Sequence, residues 1–129
     1  MIVNSSRFNF KELVDKYMSD YRDEVIYYLS ESIFKAANEA AKKLRNESPK
    51  GATGKYAKGW AVKKENGRLR GVATVYGKDG TYQLAHLLEK GHAKRGGGRV
   101  AAIEHIRPVE EWAQDEAVNI FLDKMESMY

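Results

Sequence analysis

The 129-residue chain has no cysteine and only two prolines, and nowhere is it continuously apolar over the length of a membrane span. Without cysteine there are no disulfide bonds and no thiolate chemistry, which fits a reducing compartment. A spanning helix needs about 18 to 20 apolar residues in a row, and no such run is present. The first ten residues also lack the apolar centre of a signal peptide. The sequence therefore predicts a soluble protein made inside the cell, with no membrane partner.

Charge is abundant and unevenly distributed. Hydrophobic residues make up 43% of the chain and charged residues 31%, which is enough for one domain with a modest core. Residues 1–49 are balanced in charge, residues 50–107 have a net charge of +9, and residues 108–129 have a net charge of −5. Such segregation concerns partners rather than fold. The middle can face a polyanion, and the acidic end can face the basic middle of another subunit.

The segment from Phe10 to Asn46 has the spacing of one long amphipathic helix, with apolar residues at three- and four-residue steps. At about 1.5 Å per residue this helix extends about 50 Å, so part of its apolar stripe is expected to need another chain. The alanines of its second half permit close approach of a neighbouring helix. Pro49 ends the helix, because the residue before a proline is disfavoured in helical geometry. The stripe consists of Leu13, Tyr17, Tyr21, Val25, Tyr28, Leu29, Ile33, Ala36, Ala37, Ala40 and Leu44.

A β-hairpin is predicted over residues 51–76. Trp60 and Val62 alternate with lysines on its first strand, and a second alternating run follows after a short polar segment. Asn66-Gly67 lies between the two runs. Asn-Gly is the dipeptide that two-residue hairpin turns favour, because both turn positions need positive φ. The sequence therefore predicts a tight turn at this dipeptide.

The rest of the chain is predicted to alternate between helices and loops. Gly91 ends a short helix, and the glycines 96–98 make the loop that follows a mobile tether. Pro108 suits the first position of the last helix, because its missing N–H would have no intrahelical acceptor there. Glu110 and Glu111 then favour the helix dipole from the first turn. The predicted elements are a turn over residues 77–80, a short helix over 81–90 with a strand as the alternative there, a basic loop over 91–104 and a helix over 108–127.

These elements predict a single α+β domain over residues 1–129. The long N-terminal helix and the C-terminal helix accompany a small antiparallel sheet built on the hairpin. The side chains predicted to form its core are Trp60, Leu87, Leu88, Trp112 and Phe121.

Three histidines and a glutamate could suggest a metal site. His86 and Glu89 are three residues apart and can share a helix face, but His92 lies beyond Gly91 and His105 lies across the basic loop. This spacing matches no zinc pattern, so surface or packing roles are preferred for the histidines. No serine lies in a nucleophile elbow. The sequence therefore predicts no catalytic residue, no metal and no cofactor.

A nucleic-acid interface is the main alternative function, because basic and aromatic residues alternate on and beside the hairpin. Stacking on bases needs exposed rings, whereas the alternation predicts that the aromatic residues face the core. The lysines can still bind phosphates without sequence preference. The residues in question are Lys55, Tyr56, Lys58, Trp60, Lys63, Lys64, Arg68, Arg70 and Tyr76.

The order of three short motifs resembles a known family. An apolar run ends in Glu89-Lys90-Gly91-His92, a basic loop follows, and His105-Ile106-Arg107-Pro108 opens the last helix. Upstream, Thr53-Gly54-Lys55-Tyr56 precedes an alternating strand. Over roughly residues 50–113 this arrangement is similar to the tail-component family of long-tailed bacteriophages, the Hong Kong 97 gene-ten type of neck or tail-completion protein. Tyr56 stands where the family commonly has leucine.

The resemblance implies a structural protein of a phage or prophage, located in the neck or tail of the virion. It implies several copies in a ring at the head–tail junction, in contact with connector and tail proteins around the DNA channel. It implies an α+β fold without catalysis or cofactor. Nonspecific contact with DNA remains open. The residues expected to face a partner or DNA are Lys90, His92, Lys94, Arg95, Arg99 and Arg107.

Overall fold

A computed structural model describes residues 2–3, 10–51, 53–67, 71–78 and 81–128. It confirms the α+β class, with two long helices, two short ones and a small antiparallel sheet. In chain order the elements are β1 (Ile2–Val3), α1 (Phe10–Glu47), α2 (Lys55–Lys58), β2 (Trp60–Asn66), β3 (Gly71–Gly77), α3 (Thr81–Lys90), β4 (His92–Ala93), β5 (Arg99–Val100) and α4 (Ile106–Met128).

The long helix α1 is present but bent. Tyr21 has non-helical backbone angles, with φ of −138° and ψ of 47°, so two helical segments meet there. Burial begins at Val25, and every side chain described before it is exposed. Leu13 and Tyr17 of the predicted stripe lie outside the described side chains. The expectation that part of the apolar stripe of α1 needs another chain stays a prediction.

The second half of α1 forms the core together with α4. The buried residues of α4 recur at every fourth position, which places them on one side of the helix. The alanines of α1 are fully buried in the same cluster as two alanines of α4, which fits the predicted close helix contact. The buried small residues are Ala36, Ala37, Ala40 and Ala41 of α1 with Ala113 and Ala117 of α4.

The sheet has the strand order β1-β3-β2 and is antiparallel throughout. The sequence did not predict β1, whose only local signal is the β-branched pair Ile2-Val3. The predicted hairpin is confirmed in its two strands, but its first residues fold differently, because α2 forms a helical turn there. The predicted turn is wrong: Asn66 pairs with Gly71, so four residues separate the strands instead of the Asn-Gly pair.

Gly71 explains why β3 can lie directly on α1. Its N–H donates to Ser30 Oγ at 2.6 Å. A Cβ at this position would lie 2.5 Å from the Phe34 ring, so the strand and helix approach too closely for any side chain. Ala73 and Val75 then continue the buried face of the strand.

The predicted core is confirmed in part. Trp60 and Phe121 are buried, and Leu88 and Trp112 are half-buried against the core cluster. Leu87 is 42% exposed, so its assignment to the core was wrong. The reason is that α3 turns its small residues inward.

One further boundary differs from the prediction. Helix α4 begins at Ile106 rather than Pro108, so Glu110 and Glu111 lie beyond its first turn. The predicted turn over 77–80 falls partly outside the described residues. Among the helices of the described part of the chain, none is long and apolar enough to cross a membrane.

Candidate functional site

The loop that follows α3 is a short hairpin rather than an unstructured tether. His92 pairs with Val100 and Ala93 with Arg99, in antiparallel register. The Lys94 N–H donates to the Gly98 carbonyl at 3.0 Å and closes the turn. Gly97 and Gly98 have φ of 104° and 77°, which side-chain-bearing residues rarely adopt. We call residues 92–100 the basic hairpin.

The base of the basic hairpin is tied to α3 on both sides. Gly91 leaves the helix with φ of 73°, the left-handed geometry common just after a helix end. Arg99 Nη2 donates to the Lys90 carbonyl at 3.2 Å. Beyond the hairpin, the Ile103 N–H donates to the Leu88 carbonyl at 2.7 Å. The returning chain is therefore held against the last turn of α3.

Glu89 provides the strongest of these attachments, because its carboxylate caps α4. Glu89 Oε1 accepts the N–H groups of His105 at 2.8 Å and Ile106 at 2.9 Å, and Oε2 accepts that of Arg107 at 3.0 Å. The fourth residue, Pro108, has no N–H. All four positions that lack an intrahelical acceptor at the start of α4 are thereby accounted for. A negative charge at this end also favours the helix dipole.

His105 connects this cap to Tyr56. Its Nδ1 lies 2.7 Å from the Ile103 carbonyl and 3.1 Å from Glu89 Oε1, two groups that can only accept. We therefore assign the proton to Nδ1, so that Nε2 accepts the Tyr56 hydroxyl at 2.6 Å. Both side chains are buried. Burial, with a smaller contribution from the Glu89 charge, raises the pKa of Tyr56 to about 12.

The same network reaches the end of α1 through Trp60. The Tyr56 ring packs edge-on against the rings of Trp60 and His105. Trp60 Nε1 donates to Ser48 Oγ at 3.1 Å, and the Trp60 carbonyl accepts Arg45 Nε at 3.1 Å. The base of the basic hairpin is therefore fixed to the sheet and both long helices, while its tip projects from a rigid support.

The six residues predicted to face a partner differ in exposure and in the contacts that they make. Lys94 and Arg95 are exposed in the turn of the basic hairpin, and Lys90 and Arg99 are exposed at its base. The fifth, His92, is half-buried on β4, and its Nδ1 has no hydrogen-bond partner among the described residues.

Arg107 differs from the other cations, because it lies on α4 beside two carboxylates. Its Nε is 3.2 Å from Glu111, and its Nη1 is 3.7 Å from Glu104. These ion pairs reduce the charge that it offers to a partner. The structure therefore brings four cations together at the basic hairpin and leaves Arg107 apart.

The alternative sites of the sequence analysis can also be placed. Within the described ranges, no group of three His, Asp or Glu side chains could hold a metal ion. The buried serines serve the fold: Ser30 accepts a strand N–H, Ser32 donates to a carbonyl of its own helix, and Ser48 accepts the indole of Trp60.

The aromatic residues near the first hairpin largely face the core. Tyr56 and Trp60 are buried, as the alternation predicted, whereas Tyr76 is 43% exposed. Lys63 forms an ion pair with Glu65 at 3.1 Å, and Lys64 lies over the ring of a phenylalanine. Arg68 and Arg70 lie outside the described residues.

Sequence reasoning missed the roles of Glu89 and Tyr56. Glu89 was considered as a metal ligand and as part of a family motif, and Tyr56 as an aromatic residue beside lysines and as a departure from such a motif. One signal was available: α4 begins without a Ser, Thr, Asp or Asn side chain at its cap position, so its N–H groups needed an acceptor from elsewhere.

Comparison with known protein families places the chain in a class of structural phage proteins. Residues 12–91 match the family described as "Bacteriophage HK97-gp10, putative tail-component", and the chain belongs to this family. The match begins in α1 and ends at Gly91, so the basic hairpin and α4 lie beyond it, although the resemblance in the sequence rested partly on Arg107-Pro108. No curated protein and no solved structure matches the chain.

Proposed function

We propose that the protein acts at the head–tail junction or in tail completion, as one of several copies that assemble with connector and tail proteins around the DNA channel. The basic hairpin is the part that makes the contact. Its role is docking, with no reaction and no cofactor. The protein would be made in the bacterial cytoplasm and end in the neck or tail of the virion.

The observation that carries this proposal is the contrast between the base and the tip of the basic hairpin. The base is held by Glu89, Arg99 and Ile103 through hydrogen bonds to α3 and α4. The tip presents Lys94 and Arg95 to solvent and contributes no buried side chain. A charged, exposed loop on a rigid support is typical of a binding element and adds little to stability.

The test is complementation of a phage that lacks this protein. The variant Lys90→Ala/Lys94→Ala/Arg95→Ala, which keeps the hydrogen bond of Arg99 at the base, should fold normally and leave heads and tails unjoined, which electron microscopy of lysates would show directly. Infectious titre should fall by several orders of magnitude. A matched control removes three exposed cations from α1 instead, as Lys16→Ala/Arg22→Ala/Lys42→Ala.

Two results would overturn the proposal. The first is a normal yield of joined, infectious particles from the hairpin variant. The second is an equal defect in the α1 control, because joining would then respond to net charge rather than to the hairpin. Circular dichroism of both variants separates these results from simple misfolding.

Nonspecific DNA binding is the second candidate, and the exposed cations beside Tyr76 favour it. Tyr76 is exposed and lines one cavity together with Lys90 and Arg107, so an accessible aromatic ring lies beside two cations. A DNA-binding protein would bind duplex DNA as the isolated chain, with an affinity that falls steeply as salt rises. The assembly function predicts weak or absent affinity before assembly. A titration at two salt concentrations distinguishes the two.

A further inference from the structure

Helix α3 has its large and small side chains on unexpected sides. Thr81 and Ala85 face inward and are buried, whereas Leu84 and Leu87 are 47% and 42% exposed. The two leucines are three residues apart and therefore adjacent on the outer surface of the helix. A helix that belongs only to its own domain usually buries its leucines.

A third exposed apolar residue is attached by its backbone to the last turn of the same helix. Ile103 is 50% exposed, and its N–H donates to the carbonyl of Leu88, the residue after Leu87. Isolated exposed leucines are common on protein surfaces, but a group of three on one small surface marks an interaction site. Together with the cations 90, 94, 95 and 99 beside it, this group has an apolar centre and a basic rim. We call Leu84, Leu87 and Ile103 the leucine patch.

The same chain presents a complementary surface on α4. Asp115, Asn119, Asp123 and Glu126 are exposed and follow one another at four- and three-residue steps, so they share one side of the helix. We call these four residues the acidic face. Lys124 is turned away from it, since its Nζ lies 4.8 Å from the centre of the Tyr28 ring.

One molecule holds these two surfaces at different places along α4. Glu89, next to the basic hairpin, caps the first residue of the helix. At 1.5 Å per residue, the acidic face lies about 14 to 30 Å further along the helix axis. A neighbouring copy can supply the acidic face to the leucine patch and its basic rim.

We propose that the leucine patch of one copy docks on the acidic face of α4 in a second copy. The occupant is argued from charge complementarity, because the cations that border the patch meet the stretch of chain with a net charge of −5. Such a contact joins two different surfaces, so repetition gives a closed ring or a filament rather than a two-fold dimer. The inference rests on the proposed assembly function and identifies the contact between copies.

Cysteine cross-linking tests this contact directly, because the chain has no cysteine of its own. The variant Leu87→Cys/Asn119→Cys places one thiol in each surface without removing a charge. Mild oxidation of the concentrated full-length protein, and of particles that contain it, should give a ladder of covalent oligomers. Either single variant should give no ladder. The control Leu87→Cys/Asn38→Cys moves the second thiol to an exposed position on α1 and should also give none.

Two outcomes would contradict the proposed contact. Covalent dimers from Leu87→Cys alone would mean that the leucine patch faces itself across a two-fold axis. The absence of a ladder from the double variant, both in solution and in particles, would mean that the two surfaces do not meet. Neither outcome bears on whether the basic hairpin joins heads to tails, because the cysteine variants leave all the cations of the hairpin in place.

A second measurement uses charge. Leu84→Glu/Leu87→Glu should weaken self-association in sedimentation velocity by about 100-fold, because the two added carboxylates would face the like-charged carboxylates of the acidic face. Tyr27→Glu, at a 58% exposed position on α1, should leave it unchanged. Lys94→Glu/Arg95→Glu should weaken association as well, and mixing this variant with Asp115→Lys/Glu126→Lys should restore it. Failure of the mixture to associate would count against the proposed pairing.

Discussion

Oε1 of Glu89 accepts the backbone N–H of His105 at 2.8 Å, across sixteen residues of chain. The contact joins the end of α3 to the start of α4 and closes the segment that carries the basic hairpin. It also places a carboxylate beside the imidazole of His105, whose other nitrogen binds Tyr56. One side chain thus caps a helix, closes a loop and anchors a buried polar network.

Removal of the Glu89 carboxylate should therefore cost more than the loss of an ordinary surface charge. Glu89→Ala leaves three backbone N–H groups without their acceptor, and we expect a loss of about 2 to 4 kcal/mol in the free energy of unfolding. Glu89→Gln keeps one acceptor oxygen and should lose about half as much. Urea denaturation measures both. Glu110→Gln, at an exposed position of α4, is the control and should change stability by less than about 0.5 kcal/mol.

Acid should destabilise the protein partly through the same carboxylate. Burial opposes ionisation of Glu89, but the N–H groups of His105, Ile106 and Arg107 outweigh it, with the adjacent imidazole of His105 acting in the same direction, so the pKa of Glu89 is lowered. A lowered native pKa means that the unfolded chain takes up the proton first. Stability is then present above the ordinary glutamate pKa of about 4.3 and is lost as the pH falls below it.

The measurement is a series of urea unfolding curves from about pH 6 to about pH 2.5. The free energy of unfolding of the wild type should fall more steeply on acidification than that of Glu89→Gln. Parallel curves for the two proteins would show that Glu89 is not responsible for the acid sensitivity.

The hydroxyl of Tyr56 should contribute to stability at neutral pH. Tyr56→Phe leaves the buried Nε2 of His105 without its donor, and we expect a loss of about 1 to 3 kcal/mol in the free energy of unfolding. Tyr76→Phe removes a hydroxyl from an exposed ring and should cost much less. Equal losses in the two variants would contradict the role of the Tyr56–His105 hydrogen bond.

Alkaline titration gives an independent test of the same group. Because burial raises the pKa of Tyr56 to about 12, the native protein keeps this proton after the unfolded chain, with a tyrosine pKa of about 10, has lost it. The free energy of unfolding should therefore fall as the pH rises from about 10 to 12. Ultraviolet titration should show one tyrosine that ionises only near pH 12. This transition should be absent in Tyr56→Phe and retained in Tyr76→Phe.

Gly91 should be the glycine of this region that tolerates substitution least. Its φ is positive, and an added Cβ would lie 2.5 Å from the Val100 carbonyl oxygen. Gly91→Ala should lower the free energy of unfolding by about 2 kcal/mol or more, through backbone strain and this clash. Gly96→Ala is the matched control, since no atom lies within 4 Å of a Cβ there. Thermal unfolding of the two variants compares them, and equal midpoints would contradict the expectation.

The sequence predicted the elements whose signals are periodic and local. The apolar spacing of α1 and the alternation on the strands predicted those elements, and Gly91 predicted the end of α3. The Asn-Gly turn failed because strand register outweighed the local preference. Gly71 lies against Ser30 and Phe34 of α1, and in this position it pairs with Asn66 of β2.

The features that the sequence did not predict depend on contacts between distant parts of the chain. Leu87 was assigned to the core because a short helix with apolar residues on several sides does not show which side faces inward. The start of α4 was placed at Pro108 from the preference of proline for the first helical position, whereas the acceptor that allows the helix to begin earlier, Glu89, lies on another helix. The polar network of the site could not be found for the same reason: Tyr56 and His105 are 49 residues apart.

The attachment of the base of the basic hairpin to α3 and α4 determines which substitutions in the hairpin the fold can tolerate. The residues that hold the base, Glu89 and Gly91, are separate from the cations of the tip. Substitutions at the tip are therefore expected to alter the proposed docking without loosening the scaffold, and residues 93–98 would form an exchangeable segment. Transplanting the corresponding segment from a relative with another partner would redirect docking while the host domain stays folded.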